Sequence, residues 1–265
     1  MQIPPTELVE MEAQRRIFGA GEGAEAAVIG GAVAVALPAA PITMLNRVTG
    51  LGLAAPATET QLDEIDAFFA ALRVRYAVAV APHAEPPELT GMLAERGFTT
   101  GHAWTKFTRL PEDTHARMTD LRVELVGPER GDDFALVLRE AFELPGDGPL
   151  ESAPALEGYS CYVAYAGDEP AGAGALVVHD ETAWLGFAAT RPGFRRRGGQ
   201  TALIAARARR AVELGATLLV TETGERVEGR PSNSYRNIVR NGFRPAYVRP
   251  NFLAPITPAR GLNRL

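Results

Sequence analysis

Residues 184–203 have the sequence WLGFAATRPGFRRRGGQTAL, and the order of residue types within this stretch decides the predicted fold. The apolar run Trp184–Ala189 predicts a buried strand, which the Pro-Gly pair that follows soon after brings to an end. Three arginines and two glycines occupy Arg195–Gly199, and an amphipathic pattern that begins at about Gln200 predicts a helix. The stretch is therefore predicted to form a strand, a glycine-bearing loop and a helix, in that order.

This loop has the features of a phosphate site. The first turn of a helix leaves its N–H groups unpaired and carries a partial positive charge, which favours phosphate oxygens. Gly198 and Gly199 let the backbone approach a phosphate without an intervening Cβ, and the arginines supply bidentate donors. The Gly-Lys-Ser/Thr ending of a nucleotide P-loop and the glycine triplet of a dinucleotide fold are both missing. A solvated surface loop is the alternative interpretation of the same cluster.

The run Arg195-Arg196-Arg197-Gly198-Gly199-Gln200 resembles the acetyl-CoA loop of the GNAT acetyltransferase superfamily, whose signature is Arg/Gln-x-x-Gly-x-Gly/Ala. Gln200 departs from that signature, because a small residue is usual there. The resemblance is specific over about residues 184–243 and architectural elsewhere. It implies acetyl-CoA as a co-substrate, with its diphosphate on the loop and its pantetheine arm along the preceding strand. The acetyl-CoA ligands that it implies are Phe187, Ala188, Ala189, Thr190, Arg195, Arg196, Arg197, Gly198, Gly199, Gln200, Thr201, Asn233 and Ser234.

The composition is that of a globular protein. With 265 residues, 46% of them hydrophobic and 22% charged, the chain can form one large or two ordinary domains. The formal net charge of −5 argues against nucleic acid or an anionic membrane as the main partner. Cys161 is the only cysteine, so no disulfide can form within the chain. The first residues lack a signal peptide and residues 24–40 are too short to span a bilayer, so a cytoplasmic location is expected.

The two halves of the chain follow the same order of predicted elements. Each has a hairpin, a strand, a loop, an amphipathic helix, a buried strand and a short helix, which ends at Gly97-Phe98 in one half and at Gly242-Phe243 in the other. We therefore predict an α/β fold of two GNAT-like halves, residues 1–117 and 118–265, each a mixed and mostly antiparallel sheet flanked by helices. The linker between them is predicted within residues 110–120.

The first half lacks the phosphate loop. The counterpart of the arginine-glycine cluster is Ala54–Glu59, which contains neither arginine nor glycine, and the nearby Asp63 and Glu64 would repel a phosphate. The resemblance therefore implies a tandem GNAT arrangement with a degenerate N-terminal half and one acetyl-CoA per chain. In the second half, the proline- and glycine-rich residues 144–158 are interpreted either as a lid over the site or as a mobile surface loop.

GNAT enzymes transfer the acetyl group directly to an amine, which requires a base for the ammonium and an acid for the departing thiolate. The family's acid position holds Ile238, which cannot donate a proton, and Tyr235 lies one helical turn away as the candidate acid. A stacked or core tyrosine is the alternative, just as Asn233 and Ser234 are either pantetheine ligands or plain helix caps. Glu222 closes the strand next to the predicted thioester strand and is the candidate base. No spacing of residues suggests a metal site.

The predicted function is therefore acetyl-CoA-dependent N-acetyl transfer to an unidentified acceptor, either a small-molecule amine or a peptide amine. Because Ile238 replaces the usual acid, a non-catalytic acyl-CoA-binding or regulatory module stays open as the alternative. A third interpretation is an anion- or nucleic-acid-binding module built on the arginines, which the net acidity opposes.

Overall fold

Two mixed β-sheets, both in contact with helix α1, make up the computed structural model, which describes residues 2–111, 119–144, 148–229 and 232–256. The helices are α1 (Pro5–Ala20), α2 (Glu59–Leu72), α3 (Leu89–Glu95), α4 (Gly131–Phe142), α5 (Gly199–Glu213) and α6 (Asn233–Arg240). The strands of residues 2–111 are β1 (Glu25–Ile29), β2 (Ala32–Ala36), β3 (Arg47–Thr49), β4 (Ala77–Ala79), β5 (Thr99–Thr100) and β6 (Trp104–Arg109). Those of the later ranges are β7 (Arg122–Val126), β8 (Tyr159–Ala166), β9 (Glu169–His179), β10 (Thr182–Thr190), β11 (Leu218–Gly224), β12 (Arg244–Arg249) and β13 (Asn251–Leu253).

Each sheet takes one strand from the other half of the chain. The first sheet has the strand order β1-β2-β3-β4-β13-β5, and the second has the order β12-β6-β11-β10-β9-β8-β7. Strand β13 thus lies between β4 and β5, and strand β6 lies between β11 and β12, in every case antiparallel to its neighbours. The second sheet is formed by the continuous run of strands β6 to β12, and the first by the strands on either side of that run, so no single cut of the chain separates them.

Each sheet contains one parallel strand-helix-strand unit. Among the described strands each sheet has one parallel pair, β3 with β4 and β10 with β11, and the chain passes between the paired strands through α2 or α5. The other neighbouring strands are antiparallel. This confirms the predicted α/β fold with two mixed, mostly antiparallel sheets flanked by helices.

Local sequence signals account for the elements around the second sheet's parallel pair. Helix α4 runs over Gly131–Phe142, with two aspartates in its first turn that interact favourably with the positive end of the helix dipole. Helix α5 buries Ile204, Ala208 and Ala211 against the sheet, as its apolar spacing predicts. It follows the strand-loop-helix order predicted for residues 184–203.

Helix α1 packs on both sheets with a face that carries apolar and charged side chains. Val9 and Ala13 belong to a buried cluster with Trp184 of the second sheet. Glu7 and Glu10 are also buried, at 1% and 0% exposure. Carboxylates are almost never buried unless paired with cations, so the two glutamates mark an ionic contact inside the protein.

Some predicted features lie outside the described residues. Most of the predicted linker and the predicted boundary at 117/118 fall in residues 112–118, and part of the predicted lid falls in residues 145–147. The division into domains 1–117 and 118–265 therefore stays a prediction. Within the described ranges, no helix has the length and apolar character needed to cross a membrane, and no three His, Cys, Asp or Glu residues are grouped as a metal site requires.

Candidate active site

Strands β10 and β11 diverge after a short parallel contact. Their register pairs Thr182 with Leu218 and Trp184 with Val220, and no pairing between them follows although both strands continue. Where they part, the Thr221 hydroxyl donates a hydrogen bond of 2.8 Å to the carbonyl oxygen of Leu185. Strand β10 keeps its partner β9, and β11 keeps its partner β6, so the opening lies within the sheet. Backbone groups on the two facing edges are therefore available to a ligand.

A bulge in β10 lies beside this opening. The register with β9 breaks between Gly186 and Ala189, so Phe187 and Ala188 have no partner on β9. Phe187 has a φ of 44°, a left-handed conformation that is strained for an aromatic residue. Backbone strain of this kind persists only where the surrounding structure holds it, and it is concentrated at functional sites.

The loop after β10 presents a run of free N–H groups. From Arg196 to Thr201, no backbone N–H makes a hydrogen bond to the described part of the chain, and the first helical bond is donated by Ala202 to the Gly198 carbonyl at 3.1 Å. Gly198 is the N-cap of α5 and has a φ of 83°, a conformation that suits glycine. The start of α5 thus combines unpaired donors with the positive end of a helix dipole, as an anion site requires.

The loop and the diverging strands surround a cavity of about 750 Å³, which we term the outer cavity. Its size is within the range of cofactor-sized sites. Most of the predicted acetyl-CoA ligands lie on its wall. They are Ala188, Ala189, Thr190, Arg195, Arg196, Gly198, Gly199, Gln200, Thr201, Asn233 and Ser234.

Arg197 is a predicted ligand that does not line the outer cavity. Its carbonyl oxygen accepts a hydrogen bond of 2.6 Å from Thr119, and its guanidinium pairs with Asp120. It therefore anchors the loop to the segment before β7. Arg236 and Arg240 line the cavity although the sequence analysis did not select them. They lie four residues apart on α6, a spacing that places both on one helix face and is a signal that could have identified them.

A smaller cavity of about 170 Å³, which we term the inner cavity, adjoins the outer one where the strands diverge. Both cavities are lined by Phe142, Ala188, Gln200, Thr223 and Ser234. Phe187 and the predicted lid residues Leu144 and Leu150 line the inner cavity only. One side of it comes from the first half of the chain, through Gln14, Phe18, Val35, Met44, Leu45 and Arg47. These residues carry no motif, and only the packing of α1, β2 and β3 on the second sheet brings them to the site.

Glu222, the predicted base, lies on the wall of the inner cavity and also belongs to a buried ionic cluster. Its carboxylate oxygens lie 2.8 Å from Arg249 Nη2, 3.3 Å from Lys106 Nζ and 3.4 Å from Arg47 Nη2. Among the described residues it is the only carboxylate on that wall. Its lone pairs are therefore close to a place where an amine could bind, but three cations already engage them.

The ionic cluster connects α1 to β3, β6, β11 and β12, and consists of Glu7, Glu10, Arg47, Lys106, Glu222 and Arg249. Arg249 Nη1 lies 2.7 Å from a carboxylate oxygen of Glu7 and 2.7 Å from one of Glu10. Burial alone would raise the pKa of Glu10, but Arg249, Lys106 and Arg47 outweigh it and hold that pKa well below its ordinary value of 4.5. Equal numbers of carboxylates and cations leave the cluster neutral, which reduces the cost of burying it.

Tyr235, the predicted acid, lies on the wall of the outer cavity. Its ring packs edge-on against Phe107, with centroids 4.9 Å apart and an interplanar angle of 76°. In the described part of the chain its hydroxyl has no hydrogen-bond partner, so it is available to a ligand. Ile238, which the resemblance places at the acid position, is 4% exposed and lies on the inner cavity. Helix α6 therefore presents the phenol to one cavity and an inert side chain to the other.

The corresponding helix start in the first half uses part of its N–H groups within the chain. Thr58 Oγ1 accepts a hydrogen bond of 3.2 Å from the Gln61 N–H, and Gln61 Oε1 accepts one of 3.0 Å from the Thr58 N–H. This capping box uses donors at the start of α2. The Ala57 N–H donates to the Glu85 carbonyl at 2.8 Å, so the segment just before the helix is paired as well.

Known proteins resemble the chain in sequence over one segment and in structure over nearly all of it. Residues 133–228 match the model of the acetyltransferase (GNAT) family. A GCN5-related N-acetyltransferase from Kribbella flavida has a TM-score of 0.67 at 18% identity, over 97% of this chain and 98% of that chain. A tandem GNAT protein from the clavulanic acid biosynthesis pathway has a TM-score of 0.62 at 16% identity, over 94% and 88% of the two chains. No curated protein matches the sequence.

The matched segment contains most of the features described above. It runs from the start of α4 to the loop after β11, and includes the bulge, the free N–H groups and Glu222. At identities below 20% the structural neighbours show the fold, and their coverage extends it over both sheets. Residues 133–228 therefore match the GNAT acetyltransferase family, on a two-sheet fold similar to that of a tandem GNAT protein.

Proposed function

We propose that this protein is an acetyl-CoA-dependent N-acetyltransferase that transfers the acetyl group directly to an amine. The observation that carries the proposal is the run of unpaired N–H groups from Arg196 to Thr201 beside a cavity that opens between diverging strands. Phosphate oxygens are the ligands that such a helix start favours, and Arg195, Arg236 and Arg240 add cations around it. The match to the GNAT family supports acetyltransferase activity in general terms.

The proposed reaction forms a bond from the amine nitrogen to the thioester carbonyl carbon and breaks the bond from that carbon to sulfur. The amine loses one proton and the departing thiolate gains one, so that an amide and a thiol are formed. Negative charge develops on the carbonyl oxygen as the nitrogen attacks, and a preorganised N–H donor lowers the barrier. The backbone of Phe187 and Ala188, which have no register partners on β9 and line the inner cavity, is the proposed source of that donor.

We propose the inner cavity as the acceptor site. Its wall includes Leu138, Leu150 and Trp184, and its volume of about 170 Å³, below the roughly 300 to 1,000 Å³ of drug-sized sites, limits the occupant to a small amine or the end of a peptide. In this proposal the first half of the chain binds no CoA and instead forms one side of the acceptor site. The capping box at Thr58 and Gln61 supports the first part of that role, and the position of Phe18 on the cavity wall supports the second.

Glu222 is proposed as the base and Tyr235 as the acid. Glu222 is favoured by its place on the inner cavity wall, from which it could take the amine proton directly or through water. Tyr235 is favoured by its unpartnered hydroxyl on the outer cavity, through which the thiol would leave. General acid or base assistance of this kind is typically worth about 10² to 10⁴ in rate.

The proposed CoA site can be tested with Gly198→Asp and a matched control. The new carboxylate would lie at the start of α5, where it would repel the diphosphate, and we expect acetyl-CoA affinity to fall by at least about tenfold. Gly193→Asp adds the same charge to the same loop, but it lies off the cavity wall and its Cβ would meet no neighbour. Calorimetry should show near-normal affinity for that control. Equal affinity of both folded variants for acetyl-CoA would contradict the proposed site.

The catalytic roles can be tested with Glu222→Gln and Tyr235→Phe on an acceptor found by screening amines with thiol detection. Both variants should lower kcat by about 10²-fold or more without weakening CoA binding. Glu222→Gln also removes a charge from the ionic cluster, so its melting temperature must be measured. A lower melting temperature with an unchanged kcat for the folded fraction would assign Glu222 to the cluster alone. If neither variant changes kcat, water or the substrate supplies the proton transfers.

A non-catalytic acyl-CoA-binding module is the second candidate, and the burial of Ile238 at the acid position is the observation that favours it. It predicts tight acetyl-CoA binding without release of CoA thiol for any amine tested. Turnover with one amine is enough to reject it.

A further inference from the structure

Arg207 of helix α5 is buried without an acidic partner. Its exposure is 1%, and no carboxylate in the described part of the chain contributes to its environment. Within the described ranges, the guanidinium donates only to backbone carbonyls. Nε donates to Leu203 at 3.1 Å, and Nη1 donates to Ala175 at 3.1 Å and to Gly186 at 3.3 Å. An unpaired buried cation is costly, so its retention calls for a role that an apolar residue cannot fill.

The surrounding backbone leaves room for this cation. A β-carbon on Gly174 would lie 2.7 Å from Arg207 Cζ, so the glycine is needed for the guanidinium to lie flat against β9. Burial lowers the pKa of Arg207 to about 10, so that the side chain remains charged at neutral pH. A fixed positive charge therefore lies directly behind Gly186, where the bulge in β10 begins.

The carbonyl of Gly186 and the N–H of Phe187 belong to the same peptide unit. In a trans peptide these two groups point in opposite directions, so a bond from Arg207 to the carbonyl turns the Phe187 N–H away from the guanidinium. A cation on the carbonyl also polarises the unit and makes its N–H a stronger donor. The strained φ of 44° at Phe187 is the conformation that this bond helps to hold.

We propose that Arg207 is a positioning residue for acyl transfer, which turns and polarises the Gly186–Phe187 peptide unit so that the Phe187 N–H donates to the thioester oxygen. This rests on the proposed function. As the amine nitrogen bonds to the carbonyl carbon, the carbonyl electron pair moves onto oxygen, and it returns when the carbon–sulfur bond breaks. The donor, with the charge behind it, stabilises the oxygen between those two events. Arg207 acts through the peptide unit and exchanges no proton.

The test compares Arg207→Met and Arg207→Lys with Arg209→Met, which removes an exposed arginine from the same helix. Calorimetry measures affinity for CoA and acetyl-CoA, and isotope-edited infrared spectroscopy measures the carbonyl stretch of bound ¹³C-acetyl-CoA. In Arg207→Met we expect CoA affinity within a few-fold of wild type, and a carbonyl stretch shifted towards that of the free thioester. With an acceptor in hand, kcat should fall, by at most the roughly 10²- to 10³-fold that removal of one oxyanion donor costs, because the Phe187 N–H itself remains.

Arg207→Lys keeps the charge and can reach one carbonyl, so it should lose less of the carbonyl shift than the methionine variant. If Arg207→Met does not fold, the carbonyl stretch in Arg207→Lys tests the role of Arg207 instead. Arg209→Met should match the wild type in every measurement. A folded Arg207→Met or Arg207→Lys protein whose bound carbonyl stretch equals that of the wild type overturns the role of Arg207 and leaves the proposed function standing. Failure of the wild-type protein to bind acetyl-CoA overturns both.

Discussion

Replacing Arg249 with methionine tests whether the ionic cluster holds the two sheets together. Arg249 contacts all three carboxylates of the cluster, with distances of 2.7 Å to Glu7, 2.7 Å to Glu10 and 2.8 Å to Glu222. Methionine retains much of the side-chain volume but removes the charge. The three carboxylates then face two cations, Arg47 and Lys106, and one buried negative charge is left uncompensated.

The size of the loss follows from this geometry. Removing one partner of a buried ion pair costs about 3 to 5 kcal/mol, because the remaining charge keeps its desolvation penalty. Arg249 is 1% exposed and Glu10 is 0% exposed, so solvent does not replace the lost contact. For a chain of this length, about 2 °C of melting temperature is lost per kcal/mol. We therefore expect Arg249→Met to melt about 6 to 10 °C below the wild type.

Circular dichroism at pH 7 measures this difference, with Arg244→Met as the control. Arg244 lies on the same strand, β12, but is exposed, so its replacement should change the melting temperature by no more than about 1 °C. Arg249→Lys keeps the charge and should show an intermediate loss. If Arg249→Met melts within 2 °C of the wild type, the cluster does not stabilise the fold in the way argued above.

Three further expectations concern stability, the lone cysteine and stoichiometry. Because the pKa of Glu10 is lowered in the folded protein, the unfolded chain takes up the proton first as the pH falls below 4.5. The melting temperature should therefore fall with pH in that range, and less steeply in Glu10→Gln. Burial raises the pKa of the Cys161 thiol to about 12, so a disulfide reagent should leave it unmodified until the protein unfolds, and early labelling would be inconsistent with the fold. Since the capping box occupies the Thr58 and Gln61 N–H groups and no arginine or glycine lies in residues 54–59, calorimetry should give one CoA per chain, and a ratio near two would show a second site.

The frame of the candidate site could be predicted because its signals are local. A strand, a loop with positive-φ glycine and the start of a helix occur within residues 184–203, and each follows from residue types a few positions apart. Helix α4 and the capping box at Thr58 are equally local. The bulge in β10 left no such signal, because it depends on how β10 pairs with β9.

The long-range contacts could not be predicted in this way. Glu10 looks like a solvent-facing residue of a short helix, and its burial depends on Arg47, Lys106 and Arg249, which lie 37, 96 and 239 residues further along the chain. The sequence of β6 does not identify the strands that lie beside it. Its pairing with β11 and β12 depends on which strand edges the folded chain leaves open.

Because β6 and β13 are exchanged, neither half of the chain contains all the strands of its own sheet. A fragment such as residues 121–265 would contain β11 and β12 but not the strand that joins them, and neighbouring strands must lie about 4.8 Å apart to form hydrogen bonds. Without β6, strands β11 and β12 of such a fragment would have no strand between them with which to form hydrogen bonds. Strand β11 carries Glu222. The first half can lack a phosphate loop without damage to the second sheet. Removal of the whole first half would remove β6 and open the sheet that bears the candidate site.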